Sequence, residues 1–532
     1  MADTPGRVAS TWWWLTGLTL GALALRLTGL DRFLLWEDEA ATWYFARLIV
    51  DRGPSAALTL EPTPPLYYGA LGLWMQWFGD APFVMRLPSA LAGVLAVPMV
   101  FVLGRRLFDA KVAWVAACLI AIHPLHVFIS REARVYPFLV LAVLVAIGCA
   151  WRAIEHDRII DWAALSLTLI LACYSHFYGM FLIMACGLLV VFASRGWPSR
   201  IRGVVAVGVA GLAFLPYVLF TLPHLRESGA AWSVEQFYRI FPAFEALPPV
   251  FELTLFGAGY HLLMRELAHP PTPEVLRLLA LLAQAVAMVG AVVVARARGW
   301  LRPLAFVVVP WWILILVPWA ITRAGRVIFQ PGRHDVYVIG VVVLVLAVAI
   351  GAWWAGSWRG RTVAAVVMTV LVLGASHRLL ATAVHPVNTS FVDTATWLTT
   401  HAEDDDVVVT TGVRRLITEY YVRQQASEVV VRSYPPSTDQ HPGWSDPLTL
   451  VEDLPALEAE ASQLVAELGA LPDHATVWVV VRNYGDRRTS LPWQVDRPLF
   501  AALRDAGWWP LTLDDDASQN RIQGYRRSTE DG

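Results

Sequence analysis

Long apolar runs alternate with short polar segments from Thr11 to Leu380. An apolar run of about 20 residues is long enough to cross the hydrocarbon core of a bilayer as a helix. The pattern predicts about eleven such spans. The expected segments are 11–30, 86–104, 112–130, 136–151, 160–175, 177–194, 203–222, 276–295, 304–320, 336–355 and 362–380. We therefore expect a polytopic α-helical membrane protein.

The first loop after the leading span, residues 31–85, is long and contains two further apolar segments. Residues 40–50 and 66–78 are too short to cross a bilayer and are rich in Trp and Tyr, so they are predicted to be helices lying in the interface. Between them, Glu61-Pro62-Thr63-Pro64-Pro65 predicts an extended turn, because each proline fixes its own φ and restricts the preceding residue.

The pattern changes after Leu380. Short β-branched runs at 406–411, 428–432 and 476–482 alternate with helical patterns at 414–425, 448–468 and 495–506. This alternation predicts a small α/β domain. The expected organisation is a membrane domain, 1–380, that includes the outer loop 31–85, and a soluble α/β domain, 381–532.

Arginines in alternate short loops set the expected orientation. The positive-inside rule makes those loops cytoplasmic, together with the N-terminus, and leaves the 31–85 loop and the C-terminal domain extracytoplasmic. We expect a multi-pass protein of the plasma (inner) membrane. The formal net charge of −2 argues against nucleic acid as a partner.

An acidic cluster follows the first span at Trp36-Glu37-Asp38-Glu39. A carboxylate at the outer membrane surface could act as a general base toward an acceptor hydroxyl, and Asp38 and Glu39 are the candidates. The alternative is that these acids only stabilise the N-terminus of the next helix.

Two arginines, Arg131 and Arg134, lie in a predicted outer turn and could bind a lipid phosphate through paired donors. Arg333, followed by His334, occupies a later outer loop and is a further phosphate candidate. The alternatives are snorkelling of the arginines to headgroups and plain surface charge. His176 and Tyr178, in another outer turn, could contact a substrate or simply belong to the aromatic belt.

Metal binding has weak support in the sequence. His123 and His126 share a helix face without a nearby third ligand, and the four cysteines lie in apolar segments without metal-ligand spacing. No metal site is predicted and no cofactor is assigned, although a divalent metal requirement stays open.

Four motifs follow one another along the chain: the acidic pair after the first helix, Pro-Pro-Leu-Tyr-Tyr at 64–68, Glu-Ala-Arg-Val-Tyr at 132–136 and Tyr-Ser-His-Phe-Tyr at 174–178. Together they resemble the GT-C glycosyltransferases, in particular those of the protein mannosyltransferase and aminoarabinose transferase type (family 39/83-like). The resemblance covers about residues 10–380 and implies a GT-C type fold.

The resemblance implies an inverting transferase that moves a sugar from a polyprenyl-phosphate donor to a protein, lipid or glycan acceptor at the outer membrane face. Asp38 would be the base with Glu39 in support, and Arg134, Arg131 and Arg333 would hold the donor phosphate. Further candidates to line the substrate cavity are Glu61, Tyr136, His176, Tyr178 and His334. Glu61 and His334 stand where relatives often have other residues, which leaves the donor sugar open.

Two other classes of protein remain as alternatives. An apolar bundle with polar residues at its mouth would also suit a flippase or transporter of lipid-linked sugars. The second alternative is that the membrane domain only anchors the outer domain, but an anchor needs far fewer spans.

Overall fold

The computed structural model describes residues 5–60, 63–223, 274–324, 335–384, 390–411, 414–425, 429–439, 447–481, 490–512 and 522–527. The chain forms two compact units. The first comprises Met1–Leu30, Thr63–Pro223 and Val234–Pro386, and the second comprises Asp31–Pro62, His224–Ser233 and Val387–Gly532.

The first unit is helical throughout its described residues. Its helices are α1 (Pro5–Leu27), α4 (Pro65–Phe78), α5 (Pro82–Leu107), α6 (Ala110–Ile122), α7 (Pro124–Ser130), α8 (Tyr136–His156), α9 (Ile159–Ser175), α10 (Gly179–Ala193), α11 (Trp197–Thr221), α12 (Glu274–Arg298), α13 (Leu301–Arg323), α14 (Ile339–Ala355) and α15 (Trp358–Val384). A 3₁₀ turn, Val336–Val338, leads into α14.

Each predicted span coincides with a helix or with a pair of adjoining helices. Among the described residues, five helical segments are long and apolar enough to cross a membrane, or six if the bent pair α6 and α7 counts as one span. The five are Pro82–Leu107, Tyr136–His156, Trp197–Thr221, Leu301–Arg323 and Val336–Trp354. The protein is thus a multi-pass membrane protein, and the number of about eleven spans stays a prediction.

A proline breaks the third predicted span into α6 and α7, which meet at 57°. Pro124 has no N–H, so the Ile120 carbonyl loses its donor within the helix. The buried guanidinium of Arg26 in α1 replaces that donor, with its Nη2 3.4 Å from the Ile120 oxygen and its Nη1 3.1 Å from the Ala121 oxygen. Nη2 also lies 2.9 Å from His126 Nδ1. These contacts tie the break to α1.

The second unit contains a five-stranded sheet. Its elements are α2 (Glu37–Arg52), α3 (Pro54–Leu60), α16 (Ser390–His401), β1 (Val407–Thr411), α17 (Arg415–Gln424), β2 (Val430–Tyr434), α18 (Pro447–Glu452), α19 (Leu454–Leu468), β3 (Val477–Val480), α20 (Leu491–Asp505), β4 (Trp508–Pro510) and β5 (Ile522–Arg527). The strand order is β2-β1-β3-β5-β4. β1 runs parallel to β2 and β3, whereas β5 is antiparallel to β3 and β4.

Both faces of this sheet are covered by helices. Side chains of α19 and α20 pack on Val407, Val409 and Val477 in a buried core. On the other face, Trp478 of β3 meets Trp397 of α16 with ring centroids 5.1 Å apart. The predicted α/β domain is confirmed. The sequence pattern did not predict α16, the antiparallel strands β4 and β5, or the division of the helix predicted at 448–468 into α18 and α19.

The two units divide the chain differently from the sequence-based organisation. The segment Asp31–Pro62, which carries the acidic cluster, groups with the C-terminal α/β elements. The rest of the predicted 31–85 loop, including α4, belongs to the first unit. The physical reason is that α2 packs against α17, a partner almost 400 positions away that local periodicity cannot reveal.

Candidate active site

The turn between α7 and α8, here called the arginine turn (residues 131–135), carries two arginines, Arg131 and Arg134. Pro124 and Pro137 begin the two flanking helices and suit those first-turn positions, where no helical N–H donor is needed. Arg134 is largely buried, and its guanidinium carbon lies 5.6 Å from the centre of the Tyr136 ring. A guanidinium held over an aromatic face keeps its charge while it is partly desolvated.

Aromatic rings continue from the arginine turn to the turn between α9 and α10. The Tyr136 and His176 ring centroids are 6.2 Å apart, His176 and Tyr178 are 5.3 Å apart, and Tyr178 and Tyr337 are 5.2 Å apart. The Tyr178 N–H donates to His176 Nδ1 at 3.2 Å, which fixes the imidazole ring. The structure therefore brings four predicted residues together: Arg134, Tyr136, His176 and Tyr178.

A glycine permits this second turn. A side chain at Gly179 would strike the backbone of the preceding helix, with the Ala172 carbonyl carbon at 2.6 Å. Only hydrogen fits there, so the chain can reverse closely enough to hold His176 and Tyr178 beside Tyr136.

Two residues that the sequence reasoning did not select as site residues fix the backbone of the arginine turn. The Ser89 hydroxyl donates to the Arg134 carbonyl oxygen at 2.8 Å, and the Tyr67 hydroxyl lies 3.2 Å from Ser89 Oγ. All three side chains are buried. Tyr67 stands in the Pro-Pro-Leu-Tyr-Tyr motif, which was the available signal, whereas Ser89 carries no sequence signal because it lies inside an apolar helix.

Arg131 has a different environment from Arg134. Its Nη2 donates to the carbonyl oxygens of Thr28 and Gly29, at 2.8 and 2.7 Å. The buried Arg86 of α5 donates to the next carbonyl, that of Leu30, at 2.9 Å. Both arginines therefore hold carbonyl oxygens of the turn that follows α1, residues 28–30. A phosphate-binding role for Arg131 stays a prediction.

The acidic turn (Glu37–Glu39) forms the first turn of α2 in the second unit. Asp38 is 8 % exposed and Glu39 is fully buried, so Asp38 is the more accessible carboxylate of the predicted pair. Acidic side chains are stabilised at a helix N-terminus by the free N–H groups and by the helix dipole. The Thr42 hydroxyl donates to the Asp38 carbonyl oxygen at 2.8 Å and stiffens this turn.

Three predicted site residues, Glu61, Arg333 and His334, lie outside the described residues. Within the described ranges, no group of three or more His, Cys, Asp or Glu side chains is placed to hold a metal ion. The two histidines at the break between α6 and α7 have structural contacts, since His123 Nδ1 accepts from the His126 N–H at 3.3 Å and His126 Nδ1 lies 2.9 Å from Arg26 Nη2.

Part of the chain is similar in sequence to known proteins. The sequence profile of the dolichyl-phosphate-mannose-protein mannosyltransferases matches residues 62–222. The Bacillus subtilis (strain 168) protein YycA, whose name describes it as a candidate mannosyltransferase, is 25% identical over 158 residues, which are 26% of this chain and 22% of YycA. The match thus spans about a fifth of that relative.

Solved structures match over nearly the whole chain. ArnT from Cupriavidus metallidurans superposes with a TM-score of 0.57 at 13% identity, over 97% of this chain and 98% of ArnT. The Archaeoglobus fulgidus oligosaccharyltransferase gives a TM-score of 0.56 at 14% identity, over 97% of this chain and 74% of that protein. The chain therefore has the fold of ArnT and of this oligosaccharyltransferase. The predicted resemblance to the protein mannosyltransferase and ArnT type is confirmed.

Proposed function

We propose that this protein is an inverting glycosyltransferase that moves a sugar from a polyprenyl-phosphate donor to an acceptor at the outer face of the plasma (inner) membrane. The observation that carries the proposal is the arginine turn, where Arg134 lies over Tyr136 beside the ring cluster of His176 and Tyr178. The structure of ArnT bound to undecaprenyl phosphate shares the fold, with a TM-score of 0.56.

The chemistry of such a transfer matches these residues. Breaking the bond between the sugar and the phosphate leaves a polyprenyl phosphate that gains negative charge, and a guanidinium in a partly desolvated turn stabilises that charge. Arg134 is the preferred donor-phosphate residue. Phosphate is a good leaving group, so stabilising its charge matters more than protonating it.

The acceptor needs the opposite help. Its hydroxyl must lose a proton as it attacks the sugar carbon on the face opposite the phosphate, and a carboxylate within hydrogen-bond reach is a suitable base. We assign this role to Asp38, with Glu39 supporting it from the buried side of the same turn. The proposal also requires that the acidic turn and the C-terminal α/β domain lie on the extracytoplasmic side of the membrane, with the N-terminus in the cytoplasm.

A transporter of lipid-linked sugars is the alternative. A transporter changes no covalent bond, so it has no need of a base. Transporters also place their polar sites near the bilayer midplane, whereas the candidate residues here lie at helix ends and turns.

The test is release of polyprenyl phosphate by the full-length protein in lipid, with a panel of polyprenyl-phosphate sugars and crude envelope acceptors. Asp38→Asn should lower the release rate about 100- to 10,000-fold, the usual contribution of a general base. Asp51→Asn, the same change at the exposed end of α2, is the matched control and should release at the wild-type rate. Equal rates for all three proteins would remove Asp38 as the base, and no release with any donor would contradict the proposed function.

A further inference from the structure

The C-terminal α/β elements hold the helix that carries the acidic turn. The Leu35 N–H, three residues before Asp38, donates to the hydroxyl of Tyr421 in α17 at 2.7 Å. Both residues are buried, and they are separated by 386 positions in the sequence. A buried amide bonded to a side chain so distant fixes the entry of α2 in one place.

A second contact holds α2 at Trp43, in the second turn of the helix. The Tyr420 ring packs edge-to-face against the Trp43 ring, with centroids 5.4 Å apart at 81°. Both rings are almost fully buried, and aromatic pairs of this geometry are worth more than their buried area alone. In addition, the Arg415 guanidinium lies 5.6 Å from the Tyr44 ring centre. These contacts bracket the acidic turn from both sides along the chain.

The helix α17 is itself firmly anchored in its own domain. It follows β1 directly, and at its C-terminal end Gln425 pairs with two threonines of α16, with Oε1 accepting from Thr399 Oγ1 at 2.6 Å and Nε2 donating to Thr396 Oγ1 at 2.9 Å. Within α17, Glu419 forms i,i+4 ion pairs with Arg415 and Arg423, at 3.3 and 3.2 Å, which stabilise the helix itself. The helix is therefore an ordered element that can hold a segment packed against it.

From these contacts we propose that α17 is a positioning element for the acidic turn, with Tyr421 and Tyr420 as its positioning residues. The inference rests on the proposed function, because it assigns the C-terminal domain to the base-bearing segment of that same site. A base must lie within hydrogen-bond reach of the proton that it removes, and small displacements of a reacting group lower rates steeply. If α17 positions the acidic turn, the C-terminal α/β domain is needed for the chemical step, whatever the acceptor is.

The test uses Tyr421→Phe in the full-length protein, which removes one hydroxyl and keeps the ring. Tyr434→Phe is the matched control, since the Tyr434 hydroxyl donates to the Leu457 carbonyl oxygen at 3.3 Å in the core of the same domain, away from α2. We expect Tyr421→Phe to lower kcat about 10- to 100-fold with an unchanged KM for the donor. Tyr434→Phe should keep the wild-type kcat.

Amide hydrogen exchange of the segment 31–45 provides a readout that does not depend on activity. Exchange there should become faster in Tyr421→Phe and stay at the wild-type rate in Tyr434→Phe. Unchanged exchange in Tyr421→Phe would overturn the support of α2 by α17, and faster exchange with an unchanged kcat would overturn its positioning role. If wild type released no polyprenyl phosphate, the proposed function would fail, and the exchange comparison would still decide whether α17 holds the acidic turn.

Discussion

Replacing Arg26 by Met tests what stabilises the break between α6 and α7, the two helices that precede the arginine turn. Arg26 is fully buried, and beyond its own helix it donates to the carbonyl oxygens of Ile120 and Ala121 and contacts His126 Nδ1. The two carbonyls lie at the C-terminal end of α6, where the helix dipole favours a positive charge. Met retains an unbranched apolar stem and removes every donor.

The magnitude follows from those three acceptors. Each orphaned acceptor costs about 1–3 kcal/mol when it stays buried, but the 3.4 Å contact to Ile120 is long and contributes at the low end. Removing a buried charge also relieves its desolvation, which offsets part of the loss. We expect the free energy of unfolding to fall by about 3 kcal/mol, or roughly a hundredfold in the unfolding equilibrium.

The assay is unfolding by SDS in mixed micelles, followed by loss of helical circular dichroism. Thr28→Ala is the control at the end of α1, because it removes only an exposed local bond to the Ala24 carbonyl oxygen, 2.8 Å long. This control should change stability by less than about 0.5 kcal/mol. If Arg26→Met lowered the free energy of unfolding by no more than the control, that is by less than about 0.5 kcal/mol, Arg26 would not hold the break at Pro124.

Two further predictions concern pH and helix packing. Burial, reinforced by the carboxylates of Asp496, Glu460 and Glu458, raises the pKa of Tyr434, and burial raises the pKa of Tyr525 to about 12. Unfolded tyrosine titrates near pH ~10, so the free energy of unfolding should fall as the pH rises from about 10 to about 12, and urea titrations should show a shallower fall for Tyr525→Phe. In α11, Gly203→Ala should lower the thermal midpoint by the equivalent of about 1–3 kcal/mol, because the added methyl group would come within 2.8 Å of the Trp162 ring. Gly208→Ala, which meets open space in the same helix, should be neutral or slightly stabilising, and equal midpoints would contradict the close packing.

Local patterns located the helices of the first unit because an apolar segment in a bilayer must satisfy its backbone hydrogen bonds internally, which a helix does. The run predicted at 112–130 shows the limit of this reasoning. Composition marks it as one span, whereas the structure bends it by 57° at Pro124. The proline predicts the break. Nothing in the local sequence indicates that Arg26, about 100 positions earlier, supplies a donor to the Ile120 carbonyl oxygen.

The C-terminal domain shows the same limit for β structure. The three parallel strands were predicted from their β-branched runs, and two of them, β1 and β3, are buried along their whole length, as is typical of strands covered on both faces. The sequence Ile-Gln-Gly-Tyr-Arg-Arg of β5 is half polar, and the three residues of β4 are too few for a period. Those strands are defined by pairing with β3 and with each other, which is a long-range property.

Charge type alone could not assign roles to the arginines of the first unit. Arg26, Arg86 and Arg131 all donate to backbone carbonyl oxygens, those of Ala121 near the end of α6 and of Leu30 and Gly29 in the turn after α1. The Nη2 donors of Arg131 are engaged in two short bonds to that turn.

Arg134 differs because an aromatic face holds its guanidinium, and its backbone, not its side chain, receives the bond from Ser89. A guanidinium beside an aromatic face stays positively charged, and a guanidinium can bind a phosphate through paired N–H donors. The described contacts thus distinguish Arg131, which holds backbone carbonyl oxygens, from Arg134, which lies beside an aromatic ring. This difference is the reason why we prefer Arg134 to Arg131 as the proposed donor-phosphate residue.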